Sequence, residues 1–395
     1  MSDGSTMADL APRLRSVRKR RGMTQRELAR ASGVSLSLIS KLEAGVVEGT
    51  RLEKVRKLAT ALRVRTTDLL GTAGDAEEHT KVTSPETWES VRQALLGQFG
   101  QPDDEPSVEG VQRGLNELKR VLADNRYGEV AVMLPHLIRD AEAINGPGRT
   151  VRARVLNTTG WVLTQTRNFH LAEPTLHQAI DIAADRLDAA AAVNTMVWLY
   201  LRQGLLAQAR ALATEWADDI EPRLSRATTA ELTLWGRLLL GVSTTAIRDN
   251  RPGEAEDAIT LARAAAIRIG HEAISDTSTN RTFGPVTVAM IRAENAIITD
   301  EPDKVLAIAE RIPMTNLPHA HSVGRNRHRL DVASALVSLR RPNEALIVMT
   351  ELGDDAPEWL SAQRYARDIL ARVTERRRTL TPEMRRLADL VGLAY

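Results

Sequence analysis

The 395-residue sequence predicts an all-α protein in two units: a small basic head of short helices, then a long body of repeated helix pairs. Three observations carry that prediction. Aromatic residues make up only 3% of the chain while Ala, Leu and Arg abound, a balance that favours helix. Apolar residues recur at helical spacing, as in Leu10, Leu14 and Val17. Short stretches of sequence repeat along the body, which is the mark of stacked supersecondary units.

Composition narrows the function classes. Apolar residues at 43% and charged residues at 26% are ordinary for a globular protein. Cysteine is absent, so disulfides and thiolate metal sites are excluded and a reducing compartment fits. The N-terminus, MSDGSTMADLAPRLR, holds no apolar stretch of signal-peptide length. No run approaches the roughly 18 apolar residues that suggest a membrane span, so a cytoplasmic protein without membrane contact is expected. The net charge of +2 hides an asymmetry. Residues 1–71 carry 15 Lys and Arg against 7 Asp and Glu, a net of +8, and the remainder nets −6. A basic head on an acidic body suits a nucleic-acid contact confined to one unit.

In the head, Gly22 closes the first helix, which starts near Met7. Thr24-Gln25-Arg26-Glu27 then reads as a capping box, in which hydroxyl and carboxylate each satisfy a backbone donor of the other. Gly33 turns the chain, Ser35 caps a third helix over Leu36–Ala44, and further helices are expected over 51–62 and 66–70. Ala29 is small where two helices cross, and Val34, Ile39 and Leu42 lock the third helix onto the core.

The segment TQRELARASGVSLSLISKLEAG resembles the phage-repressor-like helix-turn-helix family, also called the XRE family, over roughly residues 8–71. That resemblance implies a third helix laid in the major groove of double-stranded DNA. It makes Gln25, Arg26, Ser35, Leu36, Ser37, Ser40 and Lys41 the candidate DNA-binding residues. Gln25 matches a position that touches phosphate and braces the recognition residues. Lys41 could donate to guanine or pair with phosphate, with phosphate favoured. An apolar Leu36 has little reason to face water unless it meets a thymine methyl. Arg18 and Glu43 match a structural salt bridge between the first and third helices of the family.

Residues 72–106 read as a linker with one short amphipathic helix, marked by Trp88, Val91 and Leu95 and closed at Gly97. It would dock on the body or on a second subunit. From residue 107 to 395 the chain is self-similar. Asn157-Thr158-x-x-Trp161-x-Leu163 is answered 37 residues on by Asn194-Thr195-x-x-Trp198-x-Tyr200. Ala172 and Ala209 follow those Trp residues at equal distance. Turns at Asn125–Glu129, Arg251–Ala255, Glu301–Val305 and Arg341–Ala345 share a common grammar. Together these predict an α-solenoid of helix-turn-helix units.

The units resemble tetratricopeptide repeats, with Gly160, Leu163, Ala172 and Ala179 at consensus core places, although spacing is longer and irregular. The layout as a whole resembles the tetratricopeptide-bearing XRE regulators of actinobacteria and, more distantly, the peptide-sensing RRNPP regulators. The resemblance implies that the first helix of each repeat lines a concave groove. Asn157, Trp161, Asn194 and Trp198 then face it, with Glu231 and Trp235 as a weaker third pair. Residues four apart share one helix face. An Asn amide suits a peptide backbone, and Trp offers an apolar wall with one polar handle. The competing reading makes the Trp residues core and lets the Asn residues satisfy neighbouring helix ends.

Catalytic spacing is missing: there is no phosphate loop, no His-Glu-x-x-His and no Gly-x-Ser-x-Gly. His319, His321 and His328 lack nearby carboxylates or cysteines for a metal. No enzyme, cofactor or metal is expected. The expected function is a sequence-specific transcriptional regulator, more readily a repressor. It would bind an operator as a homodimer, while its repeats sense a signalling peptide. Two alternatives stand beside it. The repeats could be a protein-interaction scaffold on a constitutive DNA binder, or could enclose a small apolar signal molecule.

Overall fold

The structure is a computed structural model, and it describes residues 10–46, 52–64, 69, 84–102, 104–144, 148–274, 281–313, 322–375, 377 and 379–394. The expected helix over 66–70, except Leu69, lies outside these residues, as do most of the linker, His319 and His321.

The head consists of α1 (Leu10–Arg20), α2 (Gln25–Ser32), α3 (Leu36–Glu43) and α4 (Leu52–Leu62). Its core is the apolar stripe of each helix: Leu10 and Leu14, Leu28, Ile39 and Leu42, and Val55, Leu58 and Leu62. The capping box forms as spaced. The Glu27 amide donates to Thr24 Oγ1 at 3.1 Å, and the Thr24 amide donates to Glu27 Oε2 at 2.7 Å. Gly33 takes the left-handed conformation, φ 67°, that lets α2 turn into α3 without a steric cost from Cβ.

The body opens with a 3-10 turn over Pro85–Trp88 that leads into α5 (Glu89–Leu95). Trp88, Val91 and Ala94 are buried in the body's own core, so this amphipathic helix docks there. Helix pairs follow: α6 (Val108–Ala123) with α7 (Tyr127–Ala143), α8 (Arg149–Gln165) with α9 (Phe169–Asp181), and α10 (Arg186–Gln203) with α11 (Leu206–Asp219). Then come α12 (Thr229–Arg248) with α13 (Pro252–Ile269), α14 (Pro285–Ile298) with α15 (Pro302–Ala309), and α16 (Ser322–Ser338) with α17 (Pro342–Asp355). The chain ends in α18 (Pro357–Ser361), α19 (Arg364–Thr374) and α20 (Pro382–Val391). Each second helix packs on the next first helix and first helices stack on one another, so the body is a helical repeat domain.

One turn geometry joins every pair. Asn125, Arg167, Gly204, Asn250, Asp300 and Arg340 all have φ between 54° and 80°. The residue after each donates its amide back to the carbonyl five positions earlier, as Asn168 does to Leu163 at 2.8 Å and Arg341 to Leu336 at 2.8 Å. This satisfies carbonyls that a helix end leaves without partners. The irregular spacing of the sequence repeats therefore reflects helix length, since the turns themselves are alike.

The body is not helical throughout. After α13 a small antiparallel ladder, β1 (Ala273–Ile274) with β2 (Thr282–Phe283), pairs Ala273 with Phe283. It drives the Phe283 ring over Gly236 of α12, where an added Cβ would lie 2.0 Å from Phe283 Cζ. Glycine is needed there because the ring occupies the space. At the far end Glu358 of α18 accepts a hydrogen bond from the Gly128 amide of α7 at 2.8 Å. The end of the solenoid thus meets its first helix pair. No described helix is long and apolar enough to cross a membrane.

Candidate nucleic-acid interface and ligand cavity

In the head, α3 stands on a salt bridge. Arg18 of α1 grips Glu43 of α3 with both arms of its guanidinium, Nε–Oε1 at 2.5 Å and Nη2–Oε2 at 2.7 Å. Gln25 Nε2 donates to the same carboxylate at 2.8 Å, so its amide braces this pair. Burial pushes the Glu43 carboxyl up, but its bonds from Arg18 and Gln25 outweigh that and hold it below the ordinary range. With Ile39 and Leu42 buried on one face, the opposite face of α3 presents Leu36, Ser37, Ser40 and Lys41 to solvent. Ser35 caps this helix through the Leu38 amide, and Arg26 is exposed at the start of α2. All the candidate DNA residues except the half-buried Gln25 therefore lie on one accessible side.

The inner face of the body encloses a cavity of about 110 Å³. Its wall comes mainly from first helices: Trp161 and Gln165 of α8, Trp198 and Arg202 of α10, Arg237 of α12, Glu294 of α14, and Arg327 and Asp331 of α16. Arg281 and Thr282 from the ladder, and Trp359 of α18, complete it. A smaller hollow shares Trp198, Arg237 and Arg281 with it and extends to Asn194. The structure therefore places Trp161 and Trp198 on the cavity and Asn194 on the adjoining hollow, with Trp198 between them. It does not bring the other candidates there. Asn157 is buried and its Oδ1 accepts the Thr195 hydroxyl at 2.8 Å, a bond from one repeat to the next. Glu231 closes a capping box with Thr228 at the start of α12, and Trp235 packs in the core.

The wall is strongly charged. Arg248 donates to Glu294 at 2.6 Å, and Arg327 reaches the same carboxylate at 3.4 Å. Asp331 lies 3.8 Å from Arg327, and burial pushes its carboxyl up to about 7. His328 also lines the cavity, and no group of acidic or histidine side chains suited to a metal exists among the described residues. The arginines, Gln165 and Trp359 were missed in the sequence. A signal was present for two of them: Gln165 and Arg202 each fall four residues after a groove Trp, on the same helix face.

The fold and the head define the class: a helical-repeat protein with an N-terminal helix-turn-helix domain. Residues 14–69 match a family model described as helix-turn-helix. No curated protein matches the chain. Among solved structures it is similar to Bacillus thuringiensis PlcR in complex with the peptide PapR7 and DNA, at 11% identity and a TM-score of 0.38, covering 80% of this chain and 98% of that one. It is also similar to the PrgX/iCF10 complex, at 14% identity and a TM-score of 0.23, covering 98% of this chain and 95% of that one.

Proposed function

We propose that the protein is a transcriptional regulator that reads an operator with α3 and senses a ligand in the enclosed body cavity. The exposed polar face of α3, held by the Arg18–Glu43 pair, is the observation that carries the first half. A short helix with Ser37, Ser40 and Lys41 outward fits the major groove, and Arg26 is placed for phosphate. One such head contacts few base pairs, so the protein acts as a homodimer on a two-fold site. Repression is the simplest output, because a dimer on its operator blocks whatever overlaps it.

A ligand in the body would bear on the head through a short path. Trp359 of the cavity wall belongs to α18, which packs on α20, and Asp389 of α20 pairs with Arg21 at the end of α1 at 2.8 Å. The extension of the cavity to Asn194 favours an elongated ligand such as a short peptide. Its narrow volume favours a second reading, in which a small molecule sits between the Trp residues.

Sequencing the genomic fragments that the full-length protein retains, at low and high salt, tests the first half. Two half-sites about 34–36 Å apart, with retention falling steeply as salt rises, are expected. Fragments without a common sequence, or retention indifferent to salt, would refute operator reading.

A further inference from the structure

Two guanidiniums of the cavity wall, Arg202 and Arg237, make no ion pair among the described residues. Arg202, Arg237, Arg281 and Arg327 reach the cavity, against Glu294 and Asp331. Both carboxylates lie on the Arg327 side, and Glu294 is shared with Arg248 behind the wall. Among the described residues neither Arg202 nor Arg237 has a carboxylate within ion-pair distance. Arg237 Nη1 donates to the Thr282 carbonyl at 2.8 Å, and Arg202 Nη1 to Gln363 Oε1 at 3.2 Å, both neutral acceptors. Among the described residues, Arg237 Nε is buried with no hydrogen-bond partner, and so are the indole Nε1 atoms of Trp198 and Trp359.

Such an arrangement is costly. A guanidinium stays charged inside a protein, and burying it without a counter-ion costs far more than burying it paired. Burial pushes Arg202 down to about 9, with Arg327 and Arg167 adding repulsion. It lowers Arg237 as well, with Arg281 adding to the effect and the more distant Glu272 carboxylate only partly opposing it. Buried donors that point into one cavity without a protein acceptor are what a preorganised anion site needs.

We propose that this cavity binds a carboxylate borne on an apolar or aromatic body, with Arg202 and Arg237 gripping the acid and Trp161, Trp198 and Trp359 walling the body. The planar fork of Arg matches a carboxylate's two oxygens. A dianion fits less well, because Glu294 and Asp331 share the wall. The inference deepens the sensing proposal and rests on it for its biological meaning. Two sources share this chemistry, a small organic acid and the free C-terminus of a short peptide.

The test titrates the full chain with benzoate and, as its neutral isostere, benzamide, and follows tryptophan fluorescence and melting at constant ionic strength. A parallel pair is a tripeptide ending in Phe as the free acid and as the amide. In each pair the acid should bind at least about tenfold more tightly than the amide, since a charged hydrogen-bonded contact is lost. Benzoate active alone points to a small acid, and the free-acid tripeptide active alone points to a peptide terminus. Arg237→Gln and Arg202→Gln should each remove most of that preference while melting no lower than the parent. Amides matching acids, or no acid effect beyond chloride together with lower-melting variants, would overturn the proposal and make these arginines structural. If a variant fails to fold, the acid–amide comparison on the parent still decides. Acid binding that leaves operator affinity unchanged would keep the anion site and remove the sensing role.

Discussion

Arg18 in the head and Arg237 in the body are both buried, yet among the described residues only Arg18 of the two meets a carboxylate. Its two arms close on Glu43, Gln25 completes the acceptor, and the pair raises the Arg18 guanidinium above its ordinary range. Arg237 has a carbonyl and an open Nε, and burial lowers it. The difference separates two uses of the same side chain. A closed pair fixes one helix against another and leaves the working face of α3 to serine, lysine and leucine. One without a carboxylate keeps hydrogen-bonding capacity inside the protein, where the lower dielectric strengthens any bond it makes.

That contrast predicts where mutations will act, and the largest effect belongs to the exposed face of α3. Ser37→Ala combined with Lys41→Ala should lower operator affinity by roughly a hundredfold, as each base or phosphate contact is worth about 1–3 kcal/mol. Melting should not move, because both side chains are exposed. Operator titrations followed by fluorescence anisotropy check this, and an affinity within about twofold of the parent would take α3 out of the groove.

Breaking the closed pair comes next. Glu43→Gln leaves a buried guanidinium with a neutral partner and should destabilise the head by about 3 kcal/mol. Because the Glu43 carboxyl is held low, its contribution is fully present above the ordinary value near 4.5 and is lost as pH falls through its lower folded value. Protection factors of the α3 amides, that is, exchange relative to the intrinsic rate at each pH, should therefore fall in acid in the parent and be low already at neutral pH in the variant. Unchanged exchange would mean that Arg18 is anchored elsewhere, for instance by its 2.7 Å bond to the Met23 carbonyl alone.

The matched asparagines sharpen the comparison within the body. Asn157→Ala removes the shorter of the Thr195 hydroxyl's two bonds, leaving the Ala191 carbonyl as acceptor, and should cost about 1 kcal/mol in stability. Asn194→Ala touches the hollow beside the cavity and should stay within about 0.5 kcal/mol. Equal losses would show that both amides serve the repeats, and that the two positions are alike after all.

Much of the head was legible because its chemistry is local. Thr24 and Glu27 are three residues apart, Gly33 marks the turn, and the exposed face of α3 follows once Ile39 and Leu42 are placed inside. The helix pairs of the body were legible too, through Asn157–Leu163 and its echo at Asn194–Tyr200. The cavity was legible only in part. Trp161 and Trp198 stood out because each closes the same Asn-Thr-x-x-Trp pattern, but Arg202, Arg237, Arg281 and Arg327 are lost among 53 Lys and Arg. Trp235 matched the repeat in spacing, yet α12 is a longer helix with Phe283 pressed on Gly236, and its Trp ends in the core. Nothing in local sequence shows that Gln363 will meet Arg202, 161 residues away, because that contact exists only after the solenoid closes.

The smallest effect is expected where head and body touch. Arg21 Nη1 pairs with Asp389 of α20 at 2.8 Å, and Arg385 Nη1 donates to the Arg21 carbonyl at 3.3 Å. Asp389 is substantially exposed, so this ion pair is worth less than about 1 kcal/mol and weakens as salt rises. Asp389→Asn should thus leave melting almost unchanged while loosening the head from α20. Small-angle scattering provides the check: the variant at low salt should match the larger radius of gyration that the parent reaches at high salt. A seam so weak is one that modest binding energy in the body can shift. A ligand preferring one head position about tenfold needs only about 1.4 kcal/mol of differential affinity to move that equilibrium by the same factor. If Asp389→Asn instead destabilised the protein by several kcal/mol, head and body would be one folding unit, and a signal would have to reach α3 through the core.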